Sequence, residues 1–510
     1  MIKSRFNNSI KNSITAVGSQ LLVTGLNFIN RSAFIYVLGS EYLGINGLFS
    51  NILSMLSLTE MGVGTAIVFN MYKAIEENNK QQINALMSFY AKVYLAIGCI
   101  IILIGSGCSF VIQYLIKDNP FDLTFLKISF LLLVFNNAVS YFWSYRSCIL
   151  FANQKDWICK ISSMIVLSIG NVVQIIVLLL FKDYFLYLAV QIVITICNNG
   201  AQYLIAKKMY PSVLVSIHTH LPQETFKDIL ARVRALILHS ISSALNFGTD
   251  NIIISKYVGI LETGYYSNYS MIINTLNTLV VQVFNGVTAS LGNLIVSEGK
   301  EKVYEVFKKI DFLCHWIYGE LAVGMICVIN QFINLWTGGG HLLNYGTVVV
   351  LIINFYILGV RQTVIITRNA GGLYVNDRIV AVIKPIVNLF FSILLVKKIG
   401  ITGVFIGTML SEIVADVILF PYFLFRNIFS GKLMEYYSNY LKNVFCTIAS
   451  GVISIQLIGV IKNFVSGGVL FLLSGIISVL IYNIVFYLIN FRSTEFHYYK
   501  RIVMNKLNNK

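Results

Sequence analysis

Apolar windows about twenty residues long recur along the whole chain, separated by short polar stretches. Each window can cross the roughly 30 Å hydrocarbon core of a bilayer as one helix. The pattern predicts fourteen such helices, near 12–38, 45–70, 88–116, 123–150, 158–181, 184–206, 234–257, 264–296, 311–336, 345–369, 378–398, 401–425, 440–461 and 468–491. The segments between them alternate in character. One set is basic, as in "EGKEKVYEVFKK" and the tail "HYYKRIVMNKLNNK"; the other is short and nearly uncharged, as in "GSEYLG" and "TGGGHLLN". Lys and Arg collect on the cytoplasmic side of membrane proteins, so both termini are expected inside and the number of spans even.

Composition agrees with this pattern. The 510 residues are 57% hydrophobic and only 12% charged, with a mean hydropathy of +0.75. A soluble chain carries about a quarter charged residues. The net charge of +16 therefore reports topology, and no nucleic-acid partner is expected. The eight cysteines lie in or beside apolar stretches without C-x-x-C spacing and read as small hydrophobes. The polar start leads into an apolar run too long for a signal peptide, so the first helix is expected to be retained. No P-loop, dinucleotide fingerprint, zinc spacing or nucleophile elbow is present.

The chain also repeats itself. Gly39 and Gly44 match Gly259 and Gly264 at an offset of 220, each pair in the turn between the first two spans of its half. Lys80 and Lys300 match at the same offset, and Tyr141 and Arg146 match Tyr356 and Arg361 at 215. Six spans per half is an even number, so both halves enter the membrane from the same side. The repeats are then parallel, with a cleft expected between them, as in many transporters. The expected divisions are an N-terminal lobe at 1–206, a linker at 207–233, a C-terminal lobe at 234–426 and two added helices with a basic tail at 427–510. The linker's amphipathic "ETFKDILARVRALI" is expected to lie on the inner leaflet.

The six-plus-six-plus-two layout, with "LGSEYLGINGLFSNILSMLSLTEMGVGTAIVFNMYKAIEENN" at 38–79, resembles the bacterial lipid-linked oligosaccharide flippases. These are the Wzx-like polysaccharide transporters of the multidrug/oligosaccharidyl-lipid/polysaccharide exporter superfamily. The resemblance in layout spans nearly the whole chain, and the sharp sequence match is confined to spans 1–3. It implies a V-shaped, all-α exporter in the bacterial cytoplasmic membrane. Such a protein turns undecaprenyl-pyrophosphate-linked oligosaccharides from the inner to the outer leaflet, for capsule, O-antigen or exopolysaccharide. The implied partners are that glycan lipid, the bilayer, and the polymerase and glycosyltransferases of the same pathway. No cofactor is expected, and the energy would come from an H+ or Na+ gradient or from the lipid substrate's own gradient. One alternative is an ion-coupled multidrug exporter of the same superfamily. Its proton-coupled members place an acid in span 1, where this chain has Arg31. A polytopic polymerase or acyltransferase is the other alternative, but every outer loop here is short.

Charges inside the spans cost about 2.5–3.5 kcal/mol each by insertion scales and call for a reason. Arg31 lies roughly 10 Å below the outer end of span 1. It either reaches for the headgroups or faces the cleft to meet a pyrophosphate, which its planar fork of donors suits. Arg361 and Arg146 are the further candidates for pyrophosphate or sugar contact, and Lys384 stays open between the two roles. Glu60, Asp250, Glu320, Glu412 and Asp416 are candidates either for ion coupling or for pairing with these cations. His239 and His315 read as interior polar groups.

Overall fold

The computed structural model describes residues 2–57, 63–213, 221–373, 377–429 and 431–508. Among them all regular structure is helical, and eleven helices are long and apolar enough to cross a membrane. Only helices satisfy every backbone group internally where no water is available, apart from closed barrels. The three remaining expected crossings fall on α2–α3, α9 and α10, defined below. Surfaces are apolar: Leu103, Leu180 and Phe464 are 75%, 71% and 82% exposed, as lipid-facing side chains are. The chain divides into two compact units, Met1–Ser267 and Asn268–Lys510.

The first unit contains α1 (Ile2–Leu38), α2 (Ser40–Leu56), α3 (Val63–Glu76) and α4 (Lys80–Cys108). It continues through α5 (Leu123–Ser144), α6 (Cys148–Ala152), α7 (Asp156–Phe181), α8 (Tyr184–Met209) and α9 (Gln223–Tyr257), and includes the start of α10 (Ile260–Ser297). Gly39, at φ +90°, makes the turn from α1 into α2, a backbone region that glycine enters without steric cost. Asn79, Asp122 and Asp183 cap α4, α5 and α8 by accepting from backbone N–H groups. The core gathers Ile45, Leu48, Phe49, Ile67, Leu86 and Phe130, all fully buried. Polar side chains join α1 to α7: Asn30 Nδ2 donates to Asn171 Oδ1 at 2.7 Å and to Gln174 Oε1 at 2.9 Å. Interhelical amide bonds of this kind hold helices together where hydrophobicity cannot. The amphipathic stretch expected along the inner leaflet is instead the beginning of α9, continuous with the seventh span.

The second unit takes in the rest of α10, then α11 (Lys300–Thr337), α12 (Tyr345–Val360), α13 (Gln362–Ala370) and α14 (Val380–Ile399). After α15 (Ile401–Glu412) the helix widens to π geometry over Ile413–Leu419, returns to α16 (Phe420–Leu424), and widens again over Phe425–Phe429. Last come α17 (Leu433–Ile461), α18 (Gly467–Asn490) and α19 (Thr494–Asn508). The added helices α17 and α18 pack on α11. There Tyr482 of α18 is fully buried and donates to the His315 carbonyl at 2.9 Å.

Candidate functional site

In the first unit, the opening helices of the two sequence repeats meet around Arg31. A Cβ on Gly44 would overlap the Ile260 carbonyl, and a Cβ on Gly264 would overlap the Ser40 carbonyl. Ser40 and Ile260, like Gly44 and Gly264, are 220 residues apart, so the crossing is reciprocal. A second reciprocal pair lies beside it. Arg31 Nη2 donates to Ser267 Oγ at 2.6 Å, and Asn251 Nδ2, 220 residues after Arg31, donates to the carbonyl of Gly47, 220 before Ser267, at 3.4 Å. Reciprocity of this kind is the signature of a two-fold axis. It confirms the parallel duplication at residue level. On Gly47, an added Cβ would lie 3.6 Å from both Asn251 Nδ2 and Ser267 Oγ.

Arg31, Ser267 and Asn251 thus form one half-buried polar cluster, with the Tyr187 hydroxyl in electrostatic reach of the guanidinium. Asp250, 7% exposed, is the chain neighbour of Asn251. Ser267 and Asn251 were not among the expected site residues; the offset of 220 was the signal that would have found Asn251.

The second unit holds a charged cluster. Arg361 Nη1 donates to Asp416 Oδ1 at 2.6 Å, and Lys384 Nζ donates to Asp416 Oδ2 at 2.5 Å. Glu412, 4% exposed, adds a second carboxylate that acts electrostatically on Lys384, so the four formal charges cancel. Asp416 sits in the first π-helical stretch, a feature that often marks functional sites in helices. The Arg361 Nε–H is buried and makes no hydrogen bond. A buried donor left this way costs about 1–3 kcal/mol, so an acceptor arriving there would gain that much.

Arg361 and its repeat counterpart Arg146 both stand at breaks in their helices. Arg361 is the turn between α12 and α13, and Arg146 lies in a 3₁₀ turn, Tyr145–Ser147, between α5 and α6. The Arg146 guanidinium stacks 3.9 Å over the Tyr203 ring and donates from Nε to the Tyr145 hydroxyl at 2.8 Å. Glu320 lies apart from these clusters, facing α18 beside Asn483, which accepts from Trp316 Nε1 at 3.0 Å. Glu60 and the His239 side chain lie outside the described residues. Two further ionic groups were not expected. Arg368 and Asp377 form a buried two-pronged ion pair, and Asp311 faces His315 one helical turn along α11. Among the described residues no three His, Cys, Asp or Glu side chains converge as a metal site.

A family model described as polysaccharide biosynthesis protein matches residues 9–288, more than half of the chain. Among solved structures, the chain is similar to the lipid II flippase MurJ in an inward closed conformation. The TM-score is 0.65 at 17% identity, with 94% of this chain and 98% of that one covered. It is equally similar to an inward-facing multidrug resistance MATE family transporter of the MOP superfamily, at TM-score 0.65 and 15% identity, covering 81% and 98%. A third is a MOP superfamily transporter from Pyrococcus furiosus whose binding pocket is described as reversed in polarity, at TM-score 0.58 and 14% identity, covering 81% and 95%. No curated protein matches. At these identities the solved structures establish the fold alone, a helical fold shared with MurJ and the MATE family structures.

Proposed function

Since the chain belongs to the polysaccharide biosynthesis protein family, we propose that it is a flippase for oligosaccharides linked to a polyprenyl pyrophosphate such as undecaprenyl pyrophosphate. The cargo moves from the inner to the outer leaflet of the bacterial cytoplasmic membrane, with both termini of the protein inside. The observation that carries this reading is Arg31, held among polar side chains where the first helix of each repeat meets the second helix of the other. A guanidinium stays charged, and its fork of donors matches phosphate oxygens. Arg361, with its unbonded buried Nε–H, is the candidate anion contact of the second unit. The lipid-linked cargo named for the lipid II flippase of the same fold supports the assignment. Transport involves no covalent step on the cargo, and the protein is not an enzyme in this account.

The MATE transporters of the same fold keep multidrug export as the second reading. Reconstitution separates the two. Purified protein in liposomes is offered a fluorescent undecaprenyl-pyrophosphate oligosaccharide or a fluorescent cationic drug. Movement of the glycan lipid alone supports the flippase; movement of the drug alone replaces it with the exporter.

A further inference from the structure

Asp311 and His315 stand one turn apart on α11, deep inside the second unit, at 5% and 0% exposure. His315 Nε2 is 3.8 Å from Asp311 Oδ2, and its Nδ1 lies 2.8 Å from the Tyr356 hydroxyl of α12. The Asp311 carboxyl is within hydrogen-bonding reach of the Thr363 side chain, while His315 Nε2 is buried and makes no hydrogen bond. Buried polar groups are nearly always satisfied, so an open ring nitrogen facing a buried carboxyl needs an explanation.

We propose that Asp311 and His315 form a one-proton site through which the transport cycle is coupled to a proton gradient, an inference that rests on the transporter reading above. The proton count follows from the geometry. With the imidazole neutral and the Asp311 carboxyl ionised, the pair carries one negative charge in either imidazole tautomer. One proton from water neutralises it, giving a carboxylic acid at Asp311 beside a neutral imidazole.

The surroundings suit a proton. The other groups facing the pair are weak acids: Tyr304 and Cys314 on α11, and Tyr436 and Tyr440 on α17; Cys446 acts on Tyr356, and Tyr482 of α18 donates to the His315 carbonyl. Two charged groups act on it from further out, Lys442 of α17 and Glu495 of α19. The Tyr440 ring stands edge-on to His315 with centroids 5.3 Å apart and walls off that side.

The site also has a lever. Tyr356 precedes Arg361 by five residues and Thr363, which adjoins Asp311, follows it by two. Between them, Gly359 packs so closely that a Cβ would overlap the Tyr318 ring of α11. The pair therefore holds the α12–α13 break on both sides of Arg361. Adding a proton removes the charge that orients Tyr356 through His315, and so alters the hold on the arginine proposed to meet the pyrophosphate.

The test uses the full-length protein in lipid nanodiscs and in liposomes. Infrared difference spectra between about pH 8 and pH 5, the window in which histidine pairs exchange protons, should show a carboxyl group gaining a proton. That signal should vanish in Asp311→Asn, shift in His315→Gln and Tyr356→Phe, and return in Asp311→Glu. In liposomes, an imposed pH gradient should accelerate flipping by the wild type, and the ratio of rates with and without the gradient should fall to one in Asp311→Asn. Absence of the carboxyl signal from the wild type, or its persistence in Asp311→Asn, overturns the proton site while leaving the flippase reading intact. Retention of the gradient response in both Asp311→Asn and His315→Gln overturns the coupling. A carboxyl signal that depends on Asp311 in a protein that moves no glycan lipid upholds the proton site and removes the flippase reading instead.

Discussion

Gly44 and Gly264 meet so closely that neither has room for a Cβ, and each faces the carbonyl that precedes the other by four residues. The two repeats are thus pinned backbone to backbone at equivalent points. Alanine at either position must push the helices apart. Overpacking of this kind costs about 1–3 kcal/mol. Gly44→Ala and Gly264→Ala should each lower the thermal unfolding midpoint in detergent. Gly459→Ala, in α17 with nothing within 4 Å of the added carbon, should leave it unchanged or raise it slightly.

Asp416 directly contacts both Arg361 and Lys384, and its side chain is fully buried. Asp416→Asn would leave two cations facing a neutral amide, with Glu412 still acting on Lys384 but the ion pair to Arg361 lost. Breaking a buried ion pair from one side costs about 3–5 kcal/mol. Lys384→Met should cost less, because Arg361 still neutralises the carboxylate. In unfolding experiments Asp416→Asn should be clearly the worse of the two, and adding Lys384→Met to it should recover part of the loss. Equal single-variant effects would contradict the sharing of Asp416.

Asp122 caps α5 from outside the membrane, accepting from Thr124 N at 2.9 Å. Hydrogen bonds from Thr124 hold its carboxyl below the usual carboxylate range. A depressed value means that the ionised carboxyl supports the folded helix end above the unfolded-state pKa, and that the support is lost as pH falls through the folded-state value. Amide exchange in the first turn of α5 should therefore be faster in Asp122→Ala at neutral pH, and the difference between variant and wild type should shrink in acid.

Much of the architecture was legible because membrane helices are written in long apolar windows, and the parallel repeat showed in glycine turns that only glycine can make. Residue partnerships were less legible. The spacing of Glu412 and Asp416 put both on one face, but not that the π-helical stretch would place Asp416 between Arg361 and Lys384. Arg146 and Arg361 matched each other in sequence. That each would stand at a helix break depends on tertiary packing, such as Tyr318 against Gly359, which no local window contains. Glu320 looked like its fellow mid-span acids and turned out to face α18, a helix outside the repeat. His315 read as an interior polar group, because Asp311 is the first position of the same expected span and was not weighed as its partner.

Arg31 is the residue on which the flippase account most depends. One charge-assisted hydrogen bond to phosphate contributes about 1.5–3 kcal/mol, roughly ten- to a hundredfold in rate if it forms in the rate-limiting state. The decisive measurement is the flipping rate of a fluorescent undecaprenyl-pyrophosphate oligosaccharide in proteoliposomes, for wild type, Arg31→Lys and Arg31→Ala with matched folding. The account predicts rapid flipping by wild type, a partial loss in Lys and a loss of tenfold or more in Ala. Rates in both variants equal to wild type would contradict the anion role of Arg31, and a wild type that moves no lipid-linked glycan would contradict the flippase itself.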